Sequence, residues 1–270
     1  MAENHVIVST KGGVGKTTIA LNVMPCLMNA PLEKINVFEI DDNNLTNVEQ
    51  SKMNFYHVTL KKLPETLIDI ELTDGINIID SGGGNDSKEV VKALKQDEIE
   101  VTRFYIPATH DFEVLTNIES TIKLIREYYP DAEIYLVLNR VYNTEDEEEI
   151  KKQFMFLYGS DEYVINRADY IFKEISQVMV VPEESNVFAL VKNIYNTTTR
   201  DLLEKGKDIL ENIQEYNRKI KEKALKIKEE QSPEEAKAYL DDKKRKLRLL
   251  KKLDEICKKL KELNPVLSGV

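Results

Sequence analysis

The chain has 270 residues, 41% of them hydrophobic and 32% charged, with a formal net charge of −10; this suits one large α/β domain or a domain with an appendage. Its two cysteines, Cys26 and Cys257, stand far apart and match no pairing or ligand spacing, which argues against a disulfide scaffold or a cysteine-held metal cluster. No apolar run reaches the ~18 residues of a membrane span, and the first residues lack a basic-then-apolar leader profile, so a soluble, cytoplasmic protein is expected.

The net charge hides an asymmetry. Residues 218–261 carry 17 Lys/Arg against 9 Asp/Glu, while the rest of the chain carries 21 against 39. An acidic body with a basic arm suggests that the arm meets something anionic; a lysine-rich solvated helix is the plainer alternative.

In chain order, crowded Val, Ile, Tyr and Phe without clean alternation predict strands buried on both faces at 5–9, 35–40, 75–79, 103–109, 133–139 and 178–181. Helices are predicted between them at 17–28, 87–95, 111–129, 145–157 and 170–176, and residues 53–59 read equally as strand or loop. This alternation predicts a doubly wound, mostly parallel sheet covered on both faces. From about residue 186 the strand signal stops, and apolar residues recur at three- and four-residue steps from Ile209 to Ile227. Ser232-Pro233-Glu234-Glu235 then reads as a helix start, with a serine cap and proline at the first helical position. A second apolar stripe runs from Ala236 to Leu263, and Pro265 ends it. The two stripes predict a C-terminal helical hairpin that buries helix on helix. The expected division is a nucleotide-binding domain at 1–200 and a charged hairpin at 201–270.

The most informative segment is Lys11-Gly12-Gly13-Val14-Gly15-Lys16-Thr17-Thr18, which follows a strand and opens a helix. Glycines at 12, 13 and 15 permit backbone angles closed to other residues, so that amide N–H groups face phosphates. The helix N-terminus adds its dipole. In this context Lys16 reaches β- and γ-phosphates and the Thr17 hydroxyl ligates Mg²⁺. Ile76-Asn77-Ile78-Ile79-Asp80 is an apolar strand ending in a carboxylate that would hold the metal through a water, and Ser81-Gly82-Gly83-Gly84 follows it.

Thr10 stands where the general phosphate-loop pattern has glycine, and that pattern asks for no lysine at position 11. The variant resembles the deviant phosphate loop of the ParA/MinD group of partition and positioning ATPases, and the likeness continues through the first ~190 residues. The resemblance implies a P-loop NTPase fold and ATP with Mg²⁺ as cofactors. It implies that Lys11 crosses a dimer interface to the partner's phosphates. Asp41, in Glu39-Ile40-Asp41-Asp42-Asn43, matches the group's water-positioning aspartate, although Glu39, Asp42 and Asn43 replace the usual Asp, Pro and Gln. Capping of the next segment is the alternative for Asp41. The glycines after Asp80 match a loop that senses the γ-phosphate, Asn139 the asparagine that hydrogen-bonds adenine, and Pro182 the loop that covers the base. Either of the last two could also be ordinary loop chemistry.

The histidines His5, His57 and His110 show no metal or nucleophile spacing and are expected to be structural. The resulting expectation is an ATP-dependent dimerisation switch that hydrolyses ATP slowly. It would bind DNA non-specifically through its basic helices, answer to a stimulating partner protein, and serve plasmid or chromosome partition in the cytoplasm or on the nucleoid. A membrane-associated positioning ATPase and a nucleotide-binding adaptor with little turnover are the alternatives.

Overall fold

The computed structural model describes residues 2–42, residue 48 and residues 50–269. Strand β1 (Glu3–Ile7) leads through the glycine-rich loop into α1, a continuous helical segment at 16–27. There follow β2 (Met28–Asn29), β3 (Ile35–Ile40), β4 (Asn54–Val58) and α2 (Leu63–Leu72). Next, β5 (Ile76–Ser81) feeds α3 (Asn85–Gln96), β6 (Arg103–Ala108) feeds α4 (Val114–Tyr128), and β7 (Ile134–Val141) feeds α5 (Glu147–Gln153). After β8 (Gln177–Pro182) come α6 (Ser185–Tyr195), α7 (Thr199–Glu211), α8 (Ile213–Glu230), α9 (Pro233–Leu263) and β9 (Ser268–Gly269).

Among the described residues, seven strands form one sheet in the order β4-β3-β5-β1-β6-β7-β8, and every neighbouring pair is parallel. This is the doubly wound α/β fold that the alternation predicts. All six residues of both β3 and β5 are buried, as continuous apolar runs require when helices cover both faces. Successive residues enter opposite cores. Val6, Phe38 and Ile79 join α2, α3 and α4 on one side, whereas Ile7, Val37 and Ile78 join α1 and the end of α9 on the other. The strand order reverses at β1, so the crevice beyond its C-terminal end is where such sheets bind ligands. The segment at 53–59, open from sequence, is the edge strand β4 beside β3.

Several boundaries differ from expectation for identifiable reasons. The helix predicted at 17–28 ends at Leu27 and contains a π-turn at Ile19–Val23, closed by the Met24 N–H donating to the Ile19 carbonyl. Pro25 lacks an N–H and its ring crowds the carbonyl four residues back; a widened turn accommodates both. The predicted helix at 145–157 is two pieces, α5 and Met155–Tyr158, and of 170–176 only 170–172 is helical, as part of the short helix Asp169–Phe172.

The hairpin is present, but its packing departs from the prediction. Ser232 caps α9 by accepting from the Glu235 N–H at 3.1 Å, with Pro233 at the first turn. The first stripe is interrupted at Asn212, so Ile209 belongs to α7. The first part of α9 packs against α8, where Lys223 stands over the Tyr239 ring and Ile220, Ala224 and Ala236 are buried. Leu250 and Leu253 pack on Val191 of α6 and Leu202 of α7, and Ile256, Cys257 and Leu260 enter the core beneath α1. A 31-residue helix is far longer than its 18-residue partner, and α6, α7 and the core beneath α1 supply the remaining apolar surface.

The two cysteines correct a sequence expectation. Cys26 and Cys257, 231 positions apart, are joined as a disulfide with Cα atoms 5.7 Å apart, linking α1 to α9. Spacing rules do not register such a pair because only the folded path of α9 brings the partners together. Beside it, β9 pairs with β2, and Asn264 bonds the backbone of Val180 in both directions at 2.7 and 2.8 Å.

Candidate phosphate-binding site

The loop from Thr10 to Gly15 leaves the centre of the sheet at the C-terminal end of β1. Gly13 and Gly15 have φ of 76° and 93°, a region disfavoured for residues with a Cβ. At Gly15 a Cβ would also collide with the Asn139 amide. That amide donates to the Val14 carbonyl at 2.8 Å, and the Asn139 side-chain oxygen accepts from the Arg140 N–H at 3.0 Å. Asn139 is thus a buried buttress of the loop. Its placement inside β7, where Arg140 has φ 62°, was not expected from a strand ending at 139.

The loop opens on a cleft of about 320 Å³. Its walls, among the described residues, are Gly12, Gly13 and Gly15–Thr18, the ends of β3 and β5 with Glu39, Asp41 and residues 80–83, and Lys192 of α6. Lys16, Thr17, Thr18, Asp41 and Asp80 therefore meet in one place. Val14 is buried beneath the loop. Asn139 and Pro182, the latter buried at the end of β8 beside Val141, stand outside this wall, toward β7 and β8. Asn43 lies outside the described residues.

Four acidic groups and a buried lysine set the electrostatics. Lys16 donates to the Lys11 carbonyl at 3.4 Å. Burial lowers its pKa, opposed by the carboxylates of Asp80, Asp41 and Asp86. Burial pushes Asp80 up to about 7, against the Thr17 hydroxyl that donates to it and the Lys16 charge. Burial also raises Asp86, with Asp41 and Asp42 adding. One Asp80 oxygen, Oδ1, is buried without a hydrogen-bond partner, an arrangement that is costly unless a ligand completes it. A hard dication suits these donors: Asp80 and the Thr17 hydroxyl offer neighbouring oxygens, and Mg²⁺ is commonly held by one or two protein oxygens plus phosphate and water.

Hydrogen bonds make the floor of the cleft rigid. Ser81 donates to the Ile7 carbonyl at 2.8 Å and Ser87 to the Ser9 carbonyl at 2.7 Å, tying β5 and α3 to β1. A Cβ at Gly83 would stand 3.2 Å from the Gly12 Cα, so a side chain there would press the two loops apart.

Lys11 points away from its own cleft. Its ammonium pairs with Asp111 at 3.2 Å and Glu113 at 3.1 Å on the protein surface, and these contacts, Glu113 first, raise its pKa. The histidines sit in structural contacts: His5 with the Tyr105 hydroxyl at 2.9 Å, His57 with Glu39 at 3.1 Å and His110 with Gln153 at 3.3 Å. Two wall residues, Glu39 and Lys192, were not among the expected site residues. Glu39 is legible as the residue two before Asp41. Lys192 carries no local signal, being one lysine on an amphipathic helix far from the loop.

Among the described residues no helix is long and apolar enough to cross a membrane, and no group of three or more His, Cys, Asp or Glu side chains could hold a metal ion. No curated protein matches the chain. Among solved structures, MinD of Pyrococcus horikoshii with Mg-ADP is similar at 18% identity and TM-score 0.43, covering 73% of this chain and 87% of that one. McdA of Cyanothece with ATP is similar at 12% identity and TM-score 0.49, covering 74% and 90%. A plasmid partition protein of Borrelia burgdorferi is similar at 16% identity and TM-score 0.42, covering 73% and 96%. The family profile of the CobQ/CobB/MinD/ParA nucleotide binding domain matches residues 5–264, nearly the whole chain. With a two-lysine glycine loop at the topological switch point of a parallel sheet, the chain belongs to the CobQ/CobB/MinD/ParA nucleotide-binding family.

Proposed function

We propose that the protein is an ATPase of the ParA kind, a switch that dimerises on ATP and binds DNA without sequence preference. The observation that carries this reading is the divergence of the two loop lysines. Lys16 is buried inside its own cleft, whereas Lys11 stands at the surface, held by Asp111 and Glu113. A lysine so placed is available to a second subunit that approaches the cleft. Phosphoryl transfer depends on positioning and charge stabilisation, so a cation supplied in trans makes turnover depend on dimerisation.

Within one subunit the loop amides and Lys16 would cradle the β- and γ-phosphates. Thr17 and Asp80 would hold Mg²⁺, which when bound neutralises charge shared by those phosphates. Asp41 would orient the attacking water, and Asn139 would serve the base side while it braces the loop; Pro182 would flank the same side. The exposed Lys244, Arg245, Lys246 and Arg248 of α9 supply a surface for phosphate contacts, which need no base-reading element. Plasmid or chromosome DNA would be the cargo, with a partner protein stimulating release.

The test is sizing by light scattering with and without Mg-ATP. Wild type should dimerise with ATP, and Asp41→Ala should bind ATP and remain dimeric because turnover is slowed. Lys11→Ala should load ATP and stay monomeric. A Lys11→Ala protein that dimerises and hydrolyses normally would overturn the trans role.

A further inference from the structure

The phosphate cleft contains a second cation from outside the loop, and its position is specific. Lys192 lines the cleft from α6, a helix that starts just after β8 at one edge of the sheet. The C-terminal end of α6 is fixed beside Gln50, in the segment that leads into β4. Asn196, in the left-handed conformation at φ 47°, closes the helix by donating its N–H to the Lys192 carbonyl. Its own carbonyl accepts from the Gln50 N–H at 3.0 Å, and Thr197 donates to the Gln50 carbonyl at 3.2 Å. The underside of α6 is anchored by Phe188 in the main core and by Val191 against Leu250 and Leu253. Lys192 is therefore carried by a helix held on several sides.

The remaining wall says which part of a ligand it faces. It consists of the glycine loop, Asp41 and Glu39 at the end of β3, and residues 80–83 at the end of β5. Nothing from β7 or β8, the side of Asn139 and Pro182, contributes among the described residues. On the nucleotide reading the cleft is the phosphate half of the site. Three carboxylates, from Glu39, Asp41 and Asp80, line it against Lys16 and Lys192. A triphosphate carries more negative charge into such a site than a diphosphate does, so a second cation in the wall favours the triphosphate.

We propose that Lys192 contacts the γ-phosphate in cis and sets the preference for nucleoside triphosphate over diphosphate. This assignment rests on the nucleotide reading given above. It gives the site a cationic contribution from its own α6, separate from Lys11 and independent of any partner.

The experiment measures binding of Mg-ATPγS and Mg-ADP to the full chain by calorimetry, for wild type, Lys192→Ala, Lys192→Gln and Lys192→Arg, with melting curves to verify folding. Removing the charge should weaken ATPγS by about tenfold and ADP by less than about twofold, and the arginine variant should recover most of the loss. An unchanged ATPγS to ADP ratio in the folded Ala and Gln variants, whether both affinities fall or neither does, overturns the assignment. Equal loss in all three variants would likewise mean that Lys192 holds the local backbone rather than the phosphate. If wild type binds neither nucleotide, the nucleotide reading itself fails and the assignment with it. If wild type binds both and only the ratio is insensitive, the nucleotide reading stands and Lys192 is removed from it.

Discussion

The body and the arm of this molecule use charge in opposite ways. In the body a few charged groups are buried, and their environment shifts them: Asp80 is pushed up and Lys16 down by burial. In the arm many charged groups are exposed and satisfied by neighbours one turn away, such as Arg218 with Glu215 and Glu222 and Lys258 with Asp254. Pairs of that kind, fully open to solvent, contribute little to stability. Loss of one buried charge should therefore disable a site, whereas the arm should respond only to changes in aggregate.

The largest expected effect is in the body. Lys16→Ala should reduce nucleotide affinity by at least about a hundredfold, since loop amides alone leave β/γ-phosphate charge uncompensated; calorimetry with Mg-ATPγS checks this, and undiminished affinity removes Lys16 from the site. Leu253→Ala comes next. That side chain is fully buried where α9 meets α6 and α7, so the change should cost about 2–5 kcal/mol, read by chemical denaturation. A loss below 1 kcal/mol would mean that the root of the arm is not truly part of the core.

Reversing Lys244, Arg245, Lys246 and Arg248 to glutamate tests the arm as a sum. Nucleotide affinity should stay within about twofold, while DNA affinity with ATP present should fall roughly a hundredfold and its log–log salt slope should flatten by about 3–4. Anisotropy at two salt concentrations decides; equal affinity and slope would mean that the arm does not touch DNA.

A fourth effect depends on pH. Burial, with the Arg103 charge adding, holds His5 down to about 3, so it is neutral and its contact with Glu3 is a hydrogen bond. The unfolded chain takes up a proton near pH 6.5 that the folded chain refuses. The contribution of neutral His5 is complete above that pH and declines as pH falls toward 3. Between pH 6.5 and 5 the loss is about 2 kcal/mol, and His5→Gln should remove that part of the pH dependence in denaturation curves. The smallest effect belongs to Leu225, 60% exposed on α8: Leu225→Ala should change stability by less than about 0.5 kcal/mol. A larger loss would show that the arm's outer face is covered in solution.

The same contrast explains what the sequence revealed. The phosphate loop was legible because backbone chemistry forces its residue types into adjacent positions, and Asp80 because an apolar run ended in a carboxylate beside it. The parallel sheet followed from apolar runs such as Ile35–Ile40. Lys192, the Cys26–Cys257 pair and the burial of Leu250 and Leu253 by the body were hidden, since each depends on where α6 and α9 return after long intervals. Amphipathic periodicity shows that a helix has an apolar face without naming what covers it. In α9 one continuous stripe serves three coverings in turn: α8, then α6 and α7, then the core beneath α1.

The attachment of α9 has a mechanical consequence. Its far end is fastened beside α1 by Cys26–Cys257, by the Leu267 N–H donating to the Leu27 carbonyl, and by the β2–β9 pairing. Its near end returns to the body through α8 and α7. A tether free at one end sweeps a volume and captures targets by diffusion. A hairpin clamped at its root by three connections explores far less space than such a tether, so whatever meets its outer turn meets a lever of fixed direction rather than a sweeping tail.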